Sequence, residues 1–228
     1  MANLLAGYEE ALKEIAQRVL SNPKMDRGGV ARLKMEVARK YHLPRIPRNS
    51  EILSVIENPS EEVRRLLTLK PARSLSGIAV VAAMSRPMPC PPNANCIYCP
   101  GGVKVNTPQS YTGLEPAARR GAEFDYDAYA QVSARLRQLE TIGHPTTKVE
   151  LIVMGGTFPS FPKDYQDEFV KGCYDALNGF RAKELEEAIR YNETARRRCV
   201  GLTFETRPDF CKEKHVDLML SYGATRVE

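Results

Sequence analysis

Three short apolar runs, each followed by a polar or glycine-containing loop, constrain the fold of this 228-residue chain more than any other feature. The runs occupy residues 78–84, 149–154 and 200–204, and aliphatic side chains dominate them. Runs of this length are typical of strands buried on both faces, as in a parallel sheet. Because helical patterns lie between the runs, the sequence predicts βαβ units with right-handed crossovers.

The predicted elements fall into two domains. Residues 1–74 form a helical module, and residues 75–228 form an incomplete barrel of parallel strands. The second part is shorter than the roughly 250 residues of a complete eightfold barrel, so we expect the chain to be a fragment of a longer protein. The sequence also predicts an irregular loop over residues 103–121 and a fourth strand that begins at residue 225. The predicted helices cover residues 3–21, 27–41, 50–57, 60–68, 127–142, 164–178, 182–197 and 211–221.

Three cysteines lie within ten residues directly after the first predicted strand. Cys96 and Cys99 have the spacing that allows neighbouring thiolates to bind one metal centre, and Cys90 lies six positions upstream of Cys96. A structural zinc needs a closed set of four ligands, whereas a four-iron cluster held by three cysteines leaves one iron open. The count of local thiolates therefore favours an open, reactive metal site.

Two further motifs follow the next two predicted strands. Gly155 and Gly156 come directly after the second strand, and Glu205 and Arg207 come directly after the third. The carboxyl ends of parallel strands meet at one edge of a sheet or barrel, where active sites collect. We therefore expect the cysteine loop and both motifs to line one site.

The net charge of +5 is concentrated near the amino terminus. Residues 1–75 contain 14 basic and 9 acidic residues, so they carry the whole excess. Clustered Lys and Arg are typical of phosphate contacts to nucleic acid, although a solvated helical face would have a similar composition. The basic residues of the most unbalanced segment, which we predict to bind RNA, are Lys24, Arg27, Arg32, Lys34, Arg39, Lys40, Arg45 and Arg48.

A strand followed by a three-cysteine loop, with Tyr98 just before the last cysteine, resembles the radical S-adenosylmethionine (SAM) superfamily. Four blocks of the sequence resemble the family of the Elongator catalytic subunit, which modifies wobble uridines of tRNA. They cover residues 96–102, 109–116, 148–158 and 205–209. The five residues between Cys90 and Cys96 exceed the usual three of the superfamily, but the Elongator family itself has longer loops.

This resemblance implies an α/β fold, a partial radical-SAM barrel related to TIM barrels, and a specific chemistry. Cys90, Cys96 and Cys99 would hold a 4Fe–4S cluster, and SAM would bind its open iron. The radical formed from SAM would activate acetyl-CoA, which Lys148 would help to bind, and lead towards a carboxymethyl group at C5 of uridine. The resemblance assigns cofactor binding to Tyr98, Gly155, Gly156, Glu205 and Arg207.

The same resemblance indicates the partners and the extent of the protein. We expect tRNA and acetyl-CoA as substrates, a cytoplasmic location, and either a homodimer or an assembly with Elongator-type subunits. The acetyltransferase domain that the family carries at its carboxyl terminus is absent from the 228 residues, which leaves open whether they turn over substrate alone. No run of roughly 18 apolar residues is present, so we expect no membrane association.

Two alternatives remain at the level of sequence. The chain could be a non-catalytic RNA-binding module in which His215 or Cys211 completes a structural zinc site with the three cysteines. It could also be another radical-SAM tRNA modifier, such as a methylthiotransferase, although the second cluster-binding set of those enzymes is missing.

Overall fold

The computed structural model describes residues 2–92, 94 and 96–228, and the chain divides into two compact units. One unit comprises Met1–Ser76 and Gln138–Pro145, and the other comprises Gly77–Arg137 and Thr146–Glu228. The whole helical module predicted for residues 1–74 falls in the first unit. The strands all fall in the second.

The first unit is a helical bundle whose apolar faces meet in one core. Leu12, Ile15 and Val19 of the first helix are buried against Val30 and Val37 of the second. The Asp26 carboxylate accepts the Gly29 N–H at 2.6 Å and so caps the second helix, because the first N–H groups of a helix have no partner within it. The helices are α1 (Ala2–Leu20), α2 (Arg27–Lys40), α3 (Asn49–Ser54) and α4 (Glu61–Leu67), followed by a 3₁₀ turn at Pro71–Ser74.

Glu51 of α3 connects several parts of this bundle. Its carboxylate accepts two hydrogen bonds from Arg45, at 2.9 and 2.5 Å, and one from the Tyr8 hydroxyl of α1 at 2.9 Å. It also accepts the backbone N–H of Arg48 at the start of α3. The hydrogen bond from Arg45, more than the others, lowers the pKa of Glu51 to about 2.

Residues 138–145, which the sequence pattern placed with the barrel, pack within the first unit. The Thr68 hydroxyl donates to the Gly143 carbonyl at 3.0 Å, and the Leu69 N–H donates to the Ile142 carbonyl at 3.2 Å. These contacts link residues about 75 positions apart in sequence, and no local pattern could indicate them.

The second unit contains a sheet of four parallel strands in the order β1-β2-β3-β4. Strand order that follows chain order without reversal is that of a barrel-type sheet rather than a doubly wound one. The α/β class and the parallel pairing predicted from the sequence are confirmed. The strands are β1 (Ala79–Met84), β2 (Lys148–Met154), β3 (Arg198–Phe204) and β4 (Arg226–Val227).

One face of β1, β2 and β3 is buried over most of its length, whereas the sequence predicted burial on both faces. Ala83, Val153 and Phe204 are aligned across β1, β2 and β3, and all three are 0% exposed. On the opposite face of β1, Val80 is 47% exposed and Ala82 is only half-buried. The prediction of two buried faces was wrong because an apolar run records which side chains are apolar, not which face the helices cover.

Side chains from two helices form hydrogen bonds with backbone groups at the outer edge of β1. The Gln131 amide, which is 0% exposed, accepts the Met84 N–H at 2.9 Å and donates to the Met84 carbonyl at 3.0 Å. Arg120 donates to the Ala82 carbonyl at 2.5 Å. An unpaired strand edge exposes polar backbone groups, so these two side chains stand in for a neighbouring strand.

The helices of the second unit lie close to their predicted positions, with one addition. Residues 116–123 form a helix that the sequence analysis treated as part of an irregular loop, because Pro116 suits the first turn of a helix and Ala117, Ala118 and Gly121 pack on β1. The helices are α5 (Pro116–Glu123), α6 (Ala128–Thr141), α7 (Lys163–Asn178), α8 (Leu185–Asn192) and α9 (Glu213–Ser221), with 3₁₀ turns at Val103–Val105, Phe158–Ser160 and Pro208–Phe210.

Within the part of the chain that the structure describes, no helix combines the length and the apolar character needed to cross a membrane.

The Gln131 contacts lead to a stability prediction. Gln131→Leu leaves the buried N–H and carbonyl of Met84 without partners, so we expect unfolding to become easier by about 2–5 kcal/mol. Urea denaturation followed by circular dichroism measures the change. Glu168→Leu, at an exposed position of α7 in the same unit, is the control and should alter stability by less than about 1 kcal/mol. Equal effects of the two substitutions would contradict the edge-capping role.

The Glu51 contacts predict a pH dependence. Because the pKa of Glu51 is lowered from 4.5 to about 2 in the folded chain, its stabilising contribution is complete above pH 4.5 and is lost as the pH falls through about 2. The stability advantage of the wild type over Glu51→Gln should therefore shrink across that interval. Denaturant titrations at several pH values between 5 and 2 test this, with Glu57→Gln, an exposed acid in the same unit, as the control. A constant advantage would contradict the assignment.

Candidate functional site

The loops after β1, β2 and β3 converge at the carboxyl end of the sheet. The register aligns Met84 with Met154 and Val153 with Phe204, so these three strands end side by side. The loop after β1 contains the three cysteines, and the motifs Gly155-Gly156 and Glu205–Arg207 follow β2 and β3. The structure therefore brings these three segments together at one rim.

The three thiols of the cysteine loop lie near one another. Cys90 is exposed, Cys96 and Cys99 are half-buried, and all three are free. Partial burial raises the pKa of Cys90, the proximity of Cys99 and Cys96 raises it further, and the positive charge of Arg207 opposes the increase. The loop after β3 thus places a cation close to the cysteines that follow β1.

These donors match an iron–sulfur cluster in chemical type. Thiolates are soft ligands that suit iron–sulfur clusters, and three of them share one short loop. In the described residues, no group of three potential ligand side chains is already arranged around a common metal position. The cysteines therefore supply the right chemistry, and binding would have to complete the geometry.

The two residues considered as a fourth zinc ligand have local surroundings of their own. His215 accepts the Lys212 N–H through Nδ1 at 3.2 Å, which caps α9, and its ring packs against Phe210 with centroids 5.3 Å apart. Cys211 is half-buried at the end of the preceding 3₁₀ turn. The capping bond of His215 favours a role in the helix over one as a ligand.

Both glycines after β2 permit contacts that a side chain would block. A Cβ atom at Gly155 would lie 1.9 Å from the Ser85 hydroxyl oxygen, and one at Gly156 would lie 2.7 Å from the Gln109 Cβ. Their φ angles, +137° and +82°, are in the region that glycine adopts readily. Glycine here allows the loops to approach β2 closely.

Glu205 is held at the rim by donors from two other loops. The Tyr111 hydroxyl lies 2.6 and 2.7 Å from the two carboxylate oxygens, and the Gly155 N–H donates at 3.1 Å. Burial, together with the hydrogen bond to Glu205 and its charge, raises the pKa of Tyr111 far above the usual range. Tyr111 therefore remains protonated and fixes the orientation of the Glu205 carboxylate.

Gln109 connects the loops after β1 and β2. Its side-chain amide donates to the carbonyls of Met88 and Pro89, at 3.1 and 2.8 Å, and accepts the Thr157 N–H at 3.1 Å. The side chain is buried, so these bonds fix the chain directly before Cys90 relative to the residues after Gly156.

Sequence reasoning missed Gln109, Tyr111 and Ser85. Gln109 and Tyr111 lie within the block 109–116 that carried the family resemblance, but as loop residues they were given no roles. Ser85 gave no signal beyond its position at the end of a strand. Its hydroxyl is buried and has no hydrogen-bond partner among the described residues.

Arg207 and Tyr98 have contrasting environments. Arg207 pairs with Asp209 through two bonds of 3.1 Å, while its Nη1 is buried without a partner among the described residues. Tyr98 is 83% exposed, so it contributes no packing to the rim in this structure.

Lys148 is not brought to the rim. It is the first residue of β2 and is exposed. In the strand register it lies beside Arg198, the first residue of β3, at the amino end of the sheet. The placement at the start of a strand, away from the carboxyl ends, agrees with the position expected from the sequence.

The basic segment of the first unit is only partly available for binding. Lys40 pairs with Glu14 at 2.6 Å, and Arg27 donates to the Arg65 and Thr68 carbonyls. Lys34 is half-buried and donates to Asn49, and burial lowers its pKa. Together with Arg45, which binds Glu51, these side chains have roles within the bundle.

Other basic side chains of the same segment face solvent. Arg32 and Arg39 are seven positions apart on α2, so they lie on one face of the helix. Both are exposed, as are Lys24 and Arg48, and no carboxylate among the described residues pairs with Lys24, Arg32 or Arg39. These cations form the accessible part of the predicted RNA-binding surface.

Comparison with known proteins reveals a consistent relationship. Residues 8–75 match the family model described as the ELP3 N-terminal domain. Two curated proteins named tRNA uridine(34) acetyltransferase are similar to this chain. That of Methanocaldococcus infernus is 47% identical, and the match covers 96% of this chain and 43% of the relative. That of Methanocaldococcus jannaschii is 50% identical, and the match covers 90% of this chain and 38% of the relative. The Elongator complex protein 3 of Saccharomyces cerevisiae is 44% identical over 84% of this chain and 36% of its own length.

A solved structure of the archaeal Methanocaldococcus infernus Elp3 with an N-terminal deletion superposes with a TM-score of 0.51 at 44% identity, covering 66% of this chain and 28% of that one. The chain thus spans less than half the length of these curated relatives. The family match over residues 8–75, the identity over most of the chain and the shared fold lead to one conclusion: the chain belongs to the Elongator complex protein 3 family.

Proposed function

We propose that this chain is the cofactor- and RNA-binding part of an enzyme that modifies C5 of the wobble uridine of tRNA. The observation that carries the proposal is the convergence of three free thiols with Gly155-Gly156 and Glu205 at one rim. Relatives of this chain are named as acetyltransferases of tRNA uridine 34, which supports the target base. This chain covers 43% and 38% of these two relatives, so the complete reaction is proposed for a protein of their length.

Cys90, Cys96 and Cys99 would hold a 4Fe–4S cluster, and SAM would bind beside it. When bound, the cluster and SAM supply the radical chemistry that joins a carbon from acetyl-CoA to the uridine ring. The protein's own part is to bind, orient and shield these groups.

The residues at the rim have distinct proposed roles. Gly155 and Gly156 carry no side chain, so a cofactor could approach their backbone closely. The same absence of a side chain lets Ser85 and Gln109 pack against them. Glu205 presents a carboxylate whose orientation Tyr111 and Gly155 hold before any ligand arrives. Arg207, whose buried Nη1 has no hydrogen-bond partner among the residues described, supplies a fixed positive charge beside Cys90.

Lys148 is proposed to contact acetyl-CoA, as the family resemblance implies. It is exposed and lies opposite Arg198, so two cations are neighbours at the amino end of the sheet. Like charges side by side repel each other, and an anionic group such as a phosphate of the coenzyme would relieve the repulsion.

We further propose that Lys24, Arg32, Arg39 and Arg48 contact the phosphates of tRNA. All four are exposed, and the first three have no carboxylate partner in the described part of the chain, which favours this role over that of ion-paired surface residues. The relatives named Elongator complex protein 3 suggest an assembly with other subunits as the working form.

Metal analysis tests the cluster. Anaerobically reconstituted protein should contain about four irons and produce 5′-deoxyadenosine from SAM under reducing conditions. Cys99→Ser should lose most of the iron, whereas Cys211→Ser, outside the loop, should retain it. One tightly bound zinc without iron, lost in Cys211→Ser, would instead indicate the zinc-stabilised RNA-binding module.

Charge reversal tests the RNA-binding surface. Arg32→Glu combined with Arg39→Glu should weaken tRNA binding by about tenfold or more and reduce its salt dependence, because two phosphate contacts are lost. Fluorescence anisotropy at several salt concentrations measures both quantities. The control, Lys13→Glu with Arg73→Glu, makes the same change of charge at exposed positions outside residues 24–48. Equal losses in both double variants would indicate an effect of net charge alone.

A further inference from the structure

An open cavity of ≈620 Å³ lies beside the rim, between the loops that follow β1 and β2. Its volume lies in the range of small-ligand sites, and its walls are mostly apolar, as is common for such sites. None of the residues assigned to the cluster, SAM or acetyl-CoA lines it. The lining residues are Arg86, Pro87, Met88, Pro89, Ser160, Phe161 and Pro162.

Arg86 is the charged group of this cavity, and its position is well defined. Its guanidinium carbon lies 4.5 Å from the centre of the Tyr165 ring, and its backbone N–H donates to the Tyr165 hydroxyl at 2.9 Å. Tyr165 in turn packs against Phe161, with ring centroids 5.8 Å apart. An arginine stacked on an aromatic ring is preorganised for bidentate binding of an anion.

Arg86 lacks a counter-charge within the described part of the chain. It is exposed, and none of the carboxylates described forms an ion pair with it. Its guanidinium therefore keeps hydrogen-bond donors that the fold does not use. A phosphate matches this geometry, since phosphate oxygens accept paired bonds from arginine.

The remaining walls favour a flat or apolar group beside the anion. Pro87, Pro89 and Pro162 have fixed φ angles and offer rigid hydrocarbon faces, and Phe161 and Met88 add apolar surface. A ligand that combines one phosphate with a base or sugar face fits this lining better than an inorganic anion does.

The position of the cavity suggests which nucleotide it would hold. Arg86 is four residues before Cys90, so the two lie within roughly 14 Å along the chain, and Ser160 is four residues after Gly156. A uridine presented to the cysteine loop would bring its neighbours in the RNA strand to this part of the rim. The phosphates of acetyl-CoA have the same chemistry, but the proposed coenzyme contact, Lys148, lies at the opposite end of the sheet.

We propose that the cavity between the loops after β1 and β2 binds one nucleotide adjoining the target uridine in the substrate RNA, with Arg86 on its phosphate. The inference rests on the proposed function, because it takes the substrate to be RNA.

Substitution of Arg86 provides the test. Arg86→Gln should weaken binding of an anticodon stem–loop RNA by about tenfold and lower the salt dependence by about one charge, because one charge-assisted phosphate contact is lost. Arg86→Lys keeps the charge but loses the planar fork, so we expect an intermediate loss. Arg119→Gln, at an exposed position of α5 outside the cavity, is the matched control and should bind as the wild type does.

A direct probe separates this inference from the proposed function. Uridine monophosphate at millimolar concentration should shift the side-chain N–H resonance of Arg86 in ¹⁵N-labelled protein, and coenzyme A should not. If the wild type binds no tRNA but uridine monophosphate shifts Arg86, the tRNA function fails and the nucleotide site stands. If the wild type binds RNA and Arg86→Gln binds equally tightly, the cavity inference is overturned. A shift with coenzyme A alone, or with neither probe, overturns it as well.

Discussion

The parallel pairing of β1, β2 and β3 is the constraint on which the candidate site depends. The aligned residues Ala83, Val153 and Phe204 are completely buried, so a slip of one position would turn apolar side chains to the wrong face. Burial of this layer therefore fixes the height at which each strand ends. The cysteine loop, the glycine pair and Glu205 meet because the three strands end together, although they are far apart in sequence.

Hydrogen bonds across the loops then refine what the sheet brings together. Gln109 fixes the residues before Cys90 to those after Gly156, and Tyr111 fixes Glu205. Both belong to an irregular segment that passes over the strand ends. Buried networks of this kind are costly when partly unsatisfied, so they favour one arrangement of the loops. The rim is thus largely organised by the protein itself, which suits a site that must orient several ligands.

Electrostatics separates structural from accessible cations in the helical unit. Lys40 and Arg45 are bound to Glu14 and Glu51, whereas no carboxylate among the described residues pairs with Arg32 or Arg39. Exposed ion pairs contribute little to stability, but they do reduce the positive field of the surface. In the other unit, Arg86 stands out for a similar reason, because an aromatic ring rather than a carboxylate holds it in place.

The sequence by itself determined the α/β class, the parallel strands and most helix positions, because apolar periodicity and capping residues are local signals. It also placed the cysteines, Gly155, Gly156 and Glu205 at strand ends, from which their convergence followed. It could not reveal that Gln131 closes the edge of β1, that Gln109 and Tyr111 join the loops, or that Lys34 is half-buried. Those facts depend on contacts between residues distant in the chain, and only the tertiary structure decides which polar side chains find a partner there.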